Sequence, residues 1–266
     1  MPSPDGRRDE SGGHGAVSPV DPALPMRHTA TYRVRFDEAT PRGLLRGSVL
    51  LGYVQDLAWR HSEALGFPRD WYRSKGVAWL VRAVEARVLA PIPDGETVTV
   101  TTRLTGSRKV MARRETVVTG PTGEPWAVVL IDWAMTDGRT PVRIPAEFES
   151  APIDGAGPFT PVRVDLPPSP PDAIVLRLTP RLRELDPMNH ANNGVYLDWL
   201  DETVAAAAAE GEAATTHLPR TYRLEYLRPA EPGAALVSAA WRDGPGWAYR
   251  LADEGGTDLL RGVLLP

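Results

Sequence analysis

Two stretches 138 residues apart are built alike. "VRAVEARVLAPIPDGETVTV" (81–100) and "PRTYRLEYLRPAEPGAALVS" (219–238) each run as an extended segment, a proline, a short turn ending in glycine, and a second extended segment. Pro91 and Gly95 fall where Pro229 and Gly233 fall. Upstream, "RGSVLLGYVQDLAWRHSEALGF" (46–67) resembles "NNGVYLDWLDETVAAAAAEG" (192–211). Apolar residues recur at helical spacing in both: Val49, Leu50, Val54, Leu57 and Ala58, then Val195, Tyr196, Trp199, Leu200 and Val204. Downstream, each copy continues into strand-like runs separated by turns, "GPTG" in the first and "DGPG" and "EGG" in the second. A chain written this way must fold twice as strand, loop, long helix and antiparallel meander.

One long helix wrapped by a curved antiparallel sheet buries both apolar faces with few elements. That is the layout of a hotdog domain. Two in tandem make a double hotdog, an α+β chain equivalent to a dimer fused into one polypeptide. The expected division is a disordered tail over 1–27, an N-terminal hotdog over 28–149, a Pro-rich linker over 150–173 and a C-terminal hotdog over 174–266. The tail and the linker are read from their Gly, Pro and Ser content.

Composition bounds the function. The chain has 266 residues, the size of two medium domains, and 42% of them are apolar. A net charge of −4 gives no reason to expect a nucleic-acid partner. Cysteine is absent, which removes disulfides, thiolate metal sites and a cysteine nucleophile together. No apolar run approaches the roughly 18 residues of a membrane span, and the first residues lack a signal-peptide core. A cytoplasmic protein is expected, without a membrane partner. His14 and His28 lie in or beside the tail and read as inert. His61 and His217 have only a structural reading.

The polar chemistry concentrates in "RELDPMNHANNGVYLDWLDE" (183–202), at the mouth of the second helix. Taken singly, its residues have ordinary explanations. Asn192 is a good helix cap, "DP" at 186–187 is a turn dipeptide, and a lone histidine is more often structural than catalytic. Together they carry a resemblance. "LDPMNHANNGVYLDWLDE" resembles the signature of hotdog thioesterases. The tandem layout and "LLGYVQDLAWRHSEALGF" resemble more specifically the acyl-acyl-carrier-protein thioesterases of plants and bacteria. The likeness covers roughly residues 30–266.

The resemblance implies roles. Asp186 matches the catalytic carboxylate and His190 the histidine four residues later. Asn192 and Asn193 match the asparagine pair at the helix start. Tyr196, Trp199 and Glu202 match the aromatics and acid of the first helical turns. Met188 stands where that family carries an asparagine, and Asn189 is the nearest substitute. Pro229 and Ala230 stand where it carries a glutamate and often a cysteine, with Glu225 nearby.

Thioester hydrolysis needs a base or nucleophile, which Asp186 can supply, most effectively in an apolar cleft that raises its basicity. It also needs oxyanion donors. The first backbone N–H groups of a helix lack internal partners and sit at the positive end of its dipole. Asn193 and Gly194 are therefore the expected donors, and Gly194 leaves room for close approach. His190 can orient water or protonate the departing thiolate. No metal or other cofactor is required.

Aligning the helices puts Thr40 at the place of Asp186 and Leu44 at that of His190, so the first half is expected to be catalytically silent and to hold the acyl chain. Val49, Tyr53, Trp59, Trp79 and Leu80 are candidates to line a tunnel, and each is equally well explained as core. An acidic carrier protein would dock on "SRKVMARRE" (107–115), although a solvated strand face explains that run as well. The expected function is hydrolysis of a fatty or polyketide acyl thioester of acyl-carrier protein or coenzyme A, with a homodimer left open. The alternatives are a dehydratase- or cyclase-type hotdog enzyme and a non-hydrolytic acyl-binding protein.

Overall fold

Threonine- and valine-rich runs alternate buried and half-buried positions along their length, the signature of strands in a sheet with one face more deeply covered than the other. The computed structural model describes residues 24–149, 151–155 and 159–266. Its first half contributes β1 (Arg27–Arg33), β2 (Ala78–Val88), β3 (Thr97–Arg108), β4 (Met111–Thr119) and β5 (Pro125–Thr136). The second contributes β6 (Ile174–Leu178), β7 (Arg220–Tyr226), β8 (Leu236–Asp243), β9 (Gly246–Asp253) and β10 (Asp258–Leu265). They form one antiparallel sheet in the order β1-β3-β4-β5-β2-β7-β10-β9-β8-β6. With β6 to β10 standing for β1 to β5, this order reads the same from either edge. The halves join at the seam β2–β7, from Ala83↔Glu225 to Val88↔Arg220.

Few helices cover this sheet: α1 (Gly47–Ala64), α2 (Arg69–Lys75), α3 (Ala146–Glu149), α4 (Val195–Ala205) and α5 (Ala208–Thr216). Leu50, Leu51, Val54 and Leu57 of α1 are buried against one face, with Leu197, Leu200 and Val204 of α4. Each such side chain contributes about 2 kcal/mol by leaving water. The same core takes in Val84, Ala86, Tyr222 and Leu224 from the seam, so it is continuous across both halves. A second cluster, with Phe67, Tyr72, Met135 and Phe148, lies beyond the C-terminus of α1.

The second helix is not one piece, as the alanine-rich run suggests. It breaks after α4, with Ala208 at φ 56°. A Cβ on Gly211 would lie 1.8 Å from the carbonyl oxygen of Val204, so α5 folds back against α4 only because residue 211 has no side chain.

The described part of the Pro-rich connection is pinned across the sheet face opposite the helices. Asp154 pairs with Arg27 and Arg103. Buried Asp132 accepts the Val162 N–H at 2.8 Å, and buried Glu225 accepts the Val164 N–H at 3.0 Å. Arg113 holds Asp132, and Arg82 and Arg163 hold Glu225. These carboxylates turn a would-be spacer into a strap. Residues 1–23 of the expected tail lie outside the described residues. The remainder is engaged: Leu24 packs on the second cluster, the Pro25 carbonyl accepts from His61 Nε2 at 2.9 Å, and β1 begins at Arg27.

Candidate active site

The turn from 181 to 194 repeats the main hydrogen bonds of the turn 146 residues earlier. Asp186 N–H donates to the His190 carbonyl at 2.8 Å, as Thr40 N–H does to Leu44 at 2.7 Å. Asn189 N–H donates to the Asp186 carbonyl and Gly43 N–H to that of Thr40, each at 2.9 Å. Met188 N–H donates to Asp186 Oδ1 at 2.8 Å, and Arg42 N–H to Thr40 Oγ1 at 3.3 Å. Asn189 and Gly43 both take left-handed backbone, φ 62° and 69°, which asparagine tolerates and glycine favours. Ala191 N–H donates to the Ala230 carbonyl, and Leu45 N–H to that of Ile92. The turn is thus made equally well by Thr-Pro-Arg-Gly-Leu and by Asp-Pro-Met-Asn-His.

What differs is the chemistry hung on it. In the second half, His190 Nε2 lies 3.4 Å from Glu231 Oε1. At the corresponding place of the first half, Leu44 bridges Pro93. Carboxylate, imidazole and carboxylate at Asp186, His190 and Glu231 thus stand against Thr40, Leu44 and Pro93. Glu231 carries no sequence signal beyond its place inside the repeated Pro-turn-Gly element, and sequence reasoning missed it.

Asp186 is half-buried on the turn and not sunk in an apolar cleft. Its Oδ1 also accepts the His190 N–H at 3.3 Å, and Oδ2 accepts no protein hydrogen bond among the described residues. Asn189 is exposed, and its backbone conformation makes the turn. Asn192 Oδ1 accepts the Gly194 N–H at 2.9 Å, so one of the two expected oxyanion donors is occupied within the loop. The Asn193 N–H has no protein acceptor among the described residues, while the Asn193 side chain donates to Gln55 of α1 at 3.1 Å and its carbonyl accepts from Tyr226 Oη at 2.8 Å. A Cβ on Gly194 would sit 2.7 Å from the Ser48 carbonyl oxygen, so this glycine lets the N-termini of α1 and α4 meet.

Tyr196 is buried beside this group, and its hydroxyl accepts the Ala230 N–H at 2.8 Å. Burial pushes the phenol up to about 12, with the charges of Asp186 and Glu231 adding to the shift. Deeper along α4, burial pushes the Asp201 carboxyl up to about 7, although Tyr222 Oη donates to it at 3.0 Å. Burial also raises Asp198, against the Ser48 hydroxyl and the Arg46 charge.

The other expectations separate. Val49 and Tyr53 pack into the main core, Trp59 and Trp79 into the second cluster, and Leu80 is 42% exposed, so they do not line one channel. The basic run 107–115 is not one surface. Arg113 is held by Asp132, and Arg114 points inward, where it donates to His61 Nδ1 at 2.7 Å and Ser62 Oγ at 3.1 Å. Among the described residues no helix is long and apolar enough to cross a membrane.

A family model described as the acyl-ACP thioesterase N-terminal domain matches residues 25–151, and the acyl-ACP thioesterase C-terminal domain matches 169–253. The chain belongs to the acyl-ACP thioesterase family. Among curated relatives, a chloroplastic acyl-[acyl-carrier-protein] hydrolase of Cuphea viscosissima is 25% identical over 216 residues, covering 75% of this chain and 51% of the relative. A chloroplastic dodecanoyl-[acyl-carrier-protein] hydrolase of Cinnamomum camphora is 24% identical over 258 residues, covering 87% and 65%. The chain therefore spans about half to two thirds of the length of these acyl-ACP thioesterase relatives. Among solved structures, the 12:0-ACP thioesterase from Umbellularia californica has the same fold, with a TM-score of 0.76, 23% identity and coverage of 91% of this chain and 97% of that one. A putative oleoyl thioesterase from Lactobacillus plantarum does too, at 0.76, 19%, 90% and 97%.

Proposed function

We propose that this chain hydrolyses an acyl thioester carried by acyl-carrier protein or coenzyme A, with one reactive centre at Asp186. The observation that carries the reading is the difference between two equivalent turns. One backbone design bears Thr40, Leu44 and Pro93 in the first half and Asp186, His190 and Glu231 in the second. Membership of the acyl-ACP thioesterase family supports the same reaction. The strand order that reads alike from both edges, with a principal helix in each half, supports reading the chain as two tandem hotdog units, roughly 28–149 and 174–266.

In this mechanism Asp186 Oδ1 is tied to the turn, and Oδ2 acts on a water or directly on the thioester carbonyl. The Asn193 N–H, at the positive end of α4, receives the developing oxyanion. His190, steadied by Glu231, orients the water or hands a proton to the departing thiolate. Tyr196 walls the site and, through Ala230, fixes the segment that carries Glu231.

The test is release of free thiol from panels of acyl-coenzyme A and acyl-carrier protein. Thiol release that depends on Asp186 supports the reading. A modified acyl group left on its carrier, or binding without turnover, overturns it.

A further inference from the structure

The two principal helices meet at their N-termini, and what stands in front of each differs. A Cβ on Gly194 would lie 2.7 Å from the Ser48 carbonyl oxygen, and one on Gly47 would lie 2.5 Å from Leu197 Cδ2. By the 146-residue offset of the two turns, Ser48 corresponds to Gly194, Gly52 to Asp198 and Gln55 to Asp201. The contact is an exchange. One face of α1 looks onto the start of α4, and the matching face of α4 looks onto the start of α1.

At the start of α1 the chain supplies its own anion. The Asp198 carboxylate accepts from the Ser48 hydroxyl and from the Ser48 backbone N–H, with the Arg46 charge beside it. It acts as the cap that α1 otherwise lacks. The local capping position is held by Arg46, whose side chain makes no cap and donates instead to the Asp37 carbonyl at 2.9 Å. A carboxylate there offsets the positive end of the helix dipole.

At the start of α4 the arrangement is reversed. Asn192 caps the Gly194 N–H from within the loop at 2.9 Å. Ser48, Gly52 and Gln55 share the face of α1 turned toward α4, being four and three residues apart. Gln55 Oε1 accepts from Asn193 Nδ2 at 3.1 Å, which sets this face against the residue whose N–H has no protein acceptor among the described residues. Gly52 stands between Ser48 and Gln55. It is exposed, and a Cβ there would meet no described atom within 4 Å. Packing therefore does not demand a glycine, and glycine inside a helix is unfavourable relative to alanine. The place that Asp198 fills on one side is open on the other, and the Asn193 N–H keeps its positive field.

We infer that residues 52 and 198 decide which helix start can receive the oxyanion: Gly52 leaves the α4 end open to the thioester, and Asp198 closes the α1 end. The inference rests on the thioester reading above. It makes Gly52 a positioning residue that acts through the Asn193 N–H.

The experiment puts an aspartate at 52, copying Asp198. Gly52→Asp lowers kcat by about 10²–10³-fold, the cost of one oxyanion donor, with KM changed by less than about threefold. Gly52→Asn has the same size without the charge and loses less than about tenfold. Asp198→Asn, on the silent side, keeps kcat within about threefold. Thermal melts read the fold of each variant, and Gly52→Glu against Gly52→Gln repeats the comparison if Gly52→Asp does not fold. Equal activity in Gly52→Asp and Gly52→Asn overturns the inference, and so does a loss confined to KM, which would mean blocked entry. A large kcat loss in Asp198→Asn would put that carboxylate in the reaction and overturn its assignment to α1. Calorimetry with an acyl-coenzyme A ketone, in which CH2 replaces the thioester sulfur, separates this from the hydrolysis reading. A parent chain that binds the ketone and releases no thiol from any thioester loses the hydrolysis reading alone. Binding about tenfold weaker in Gly52→Asp but not in Gly52→Asn then still supports the open α4 end, and equal binding in both overturns it. A parent chain that neither binds nor cleaves overturns both.

Discussion

His190 Nε2 and Glu231 Oε1 are 3.4 Å apart, and the corresponding pair in the first half is Leu44 and Pro93. The contact joins two separately repeated elements, the turn before the helix and the Pro-turn-Gly segment after it. Glu231 is 61% exposed and the His190 side chain 33%, so their attraction is screened and contributes about 1 kcal/mol at most. Glu231→Gln should therefore lower kcat/KM by no more than about tenfold, with an unchanged melting temperature. His190→Ala should cost more, about 10²-fold or above, if the imidazole moves a proton. Steady-state kinetics on the best thioester substrate, with thermal melts alongside, checks both. A larger loss for Glu231→Gln than for His190→Ala would show that the carboxylate acts independently.

Asp186→Asn should keep the fold and reduce kcat/KM by about 10²–10⁴-fold or more, the contribution of a positioned base. The structural safeguard is Thr40, which makes the same turn in the first half without any carboxylate. Asparagine can accept the Met188 and His190 N–H groups as Asp186 does. Thr40→Ala should leave kcat/KM within about twofold, since a local turn bond contributes about 1 kcal/mol to stability. A folded Asp186→Asn chain with full activity would reduce the polar cluster to a turn and a helix cap.

Much of this was legible in the sequence because it is periodic. The duplication, the apolar stripe of α1 and the pairing of Thr40 with Asp186 all follow from spacing. What was not legible depends on partners far along the chain. The buried Asp132 and Glu225 that strap the connecting segment are satisfied by N–H groups 30 and 61 residues away. The break between α4 and α5 is set by the fit of Gly211 against Val204, which overrides the helix preference of alanine. Glu231 follows no period. The inward turn of Arg114 was readable: strand alternation puts it on the face of Ala112 and Thr116, although a run of basic residues invites a surface reading.

His61 makes stability depend on mildly acidic pH. Arg114 can only donate, so His61 Nδ1 must accept and Nε2–H must donate to the Pro25 carbonyl, which fixes a neutral ring. Burial, aided by the Arg114 charge, lowers His61 to about 4. Between about 6.5 and 4 the unfolded chain binds a proton that the folded chain refuses, so stability falls as pH falls through that window. The loss is on the order of 3 kcal/mol. His61→Gln should flatten that part of the profile, read from urea unfolding at pH 7 and pH 5. A parent and variant with equal pH dependence would mean that His61 titrates normally.

Asp201 should act with the opposite sign. Its carboxyl is raised to about 7 by burial, with Asp198 and Glu202 opposing ionisation and only Tyr222 and Arg220 favouring it. Below about 3.8 both folded and unfolded chains carry the proton, and the group has no effect. As pH rises from there toward 7 the unfolded chain ionises and the folded chain does not, so stability falls. Above 7 the full penalty remains, on the order of 2–4 kcal/mol. Asp201→Asn removes the ionisation while its side-chain oxygen still accepts from Tyr222 Oη. The variant should therefore be more stable than the parent at pH 8 and equal to it at the acid end, with the difference growing between about pH 4 and pH 7. Paired urea titrations across that range give the curve. A variant less stable than the parent at pH 8 would mean that the ionised carboxylate is favoured in the folded state, and Asp201 would then be a charge anchor for Arg220 and Tyr222 instead of a buried acid.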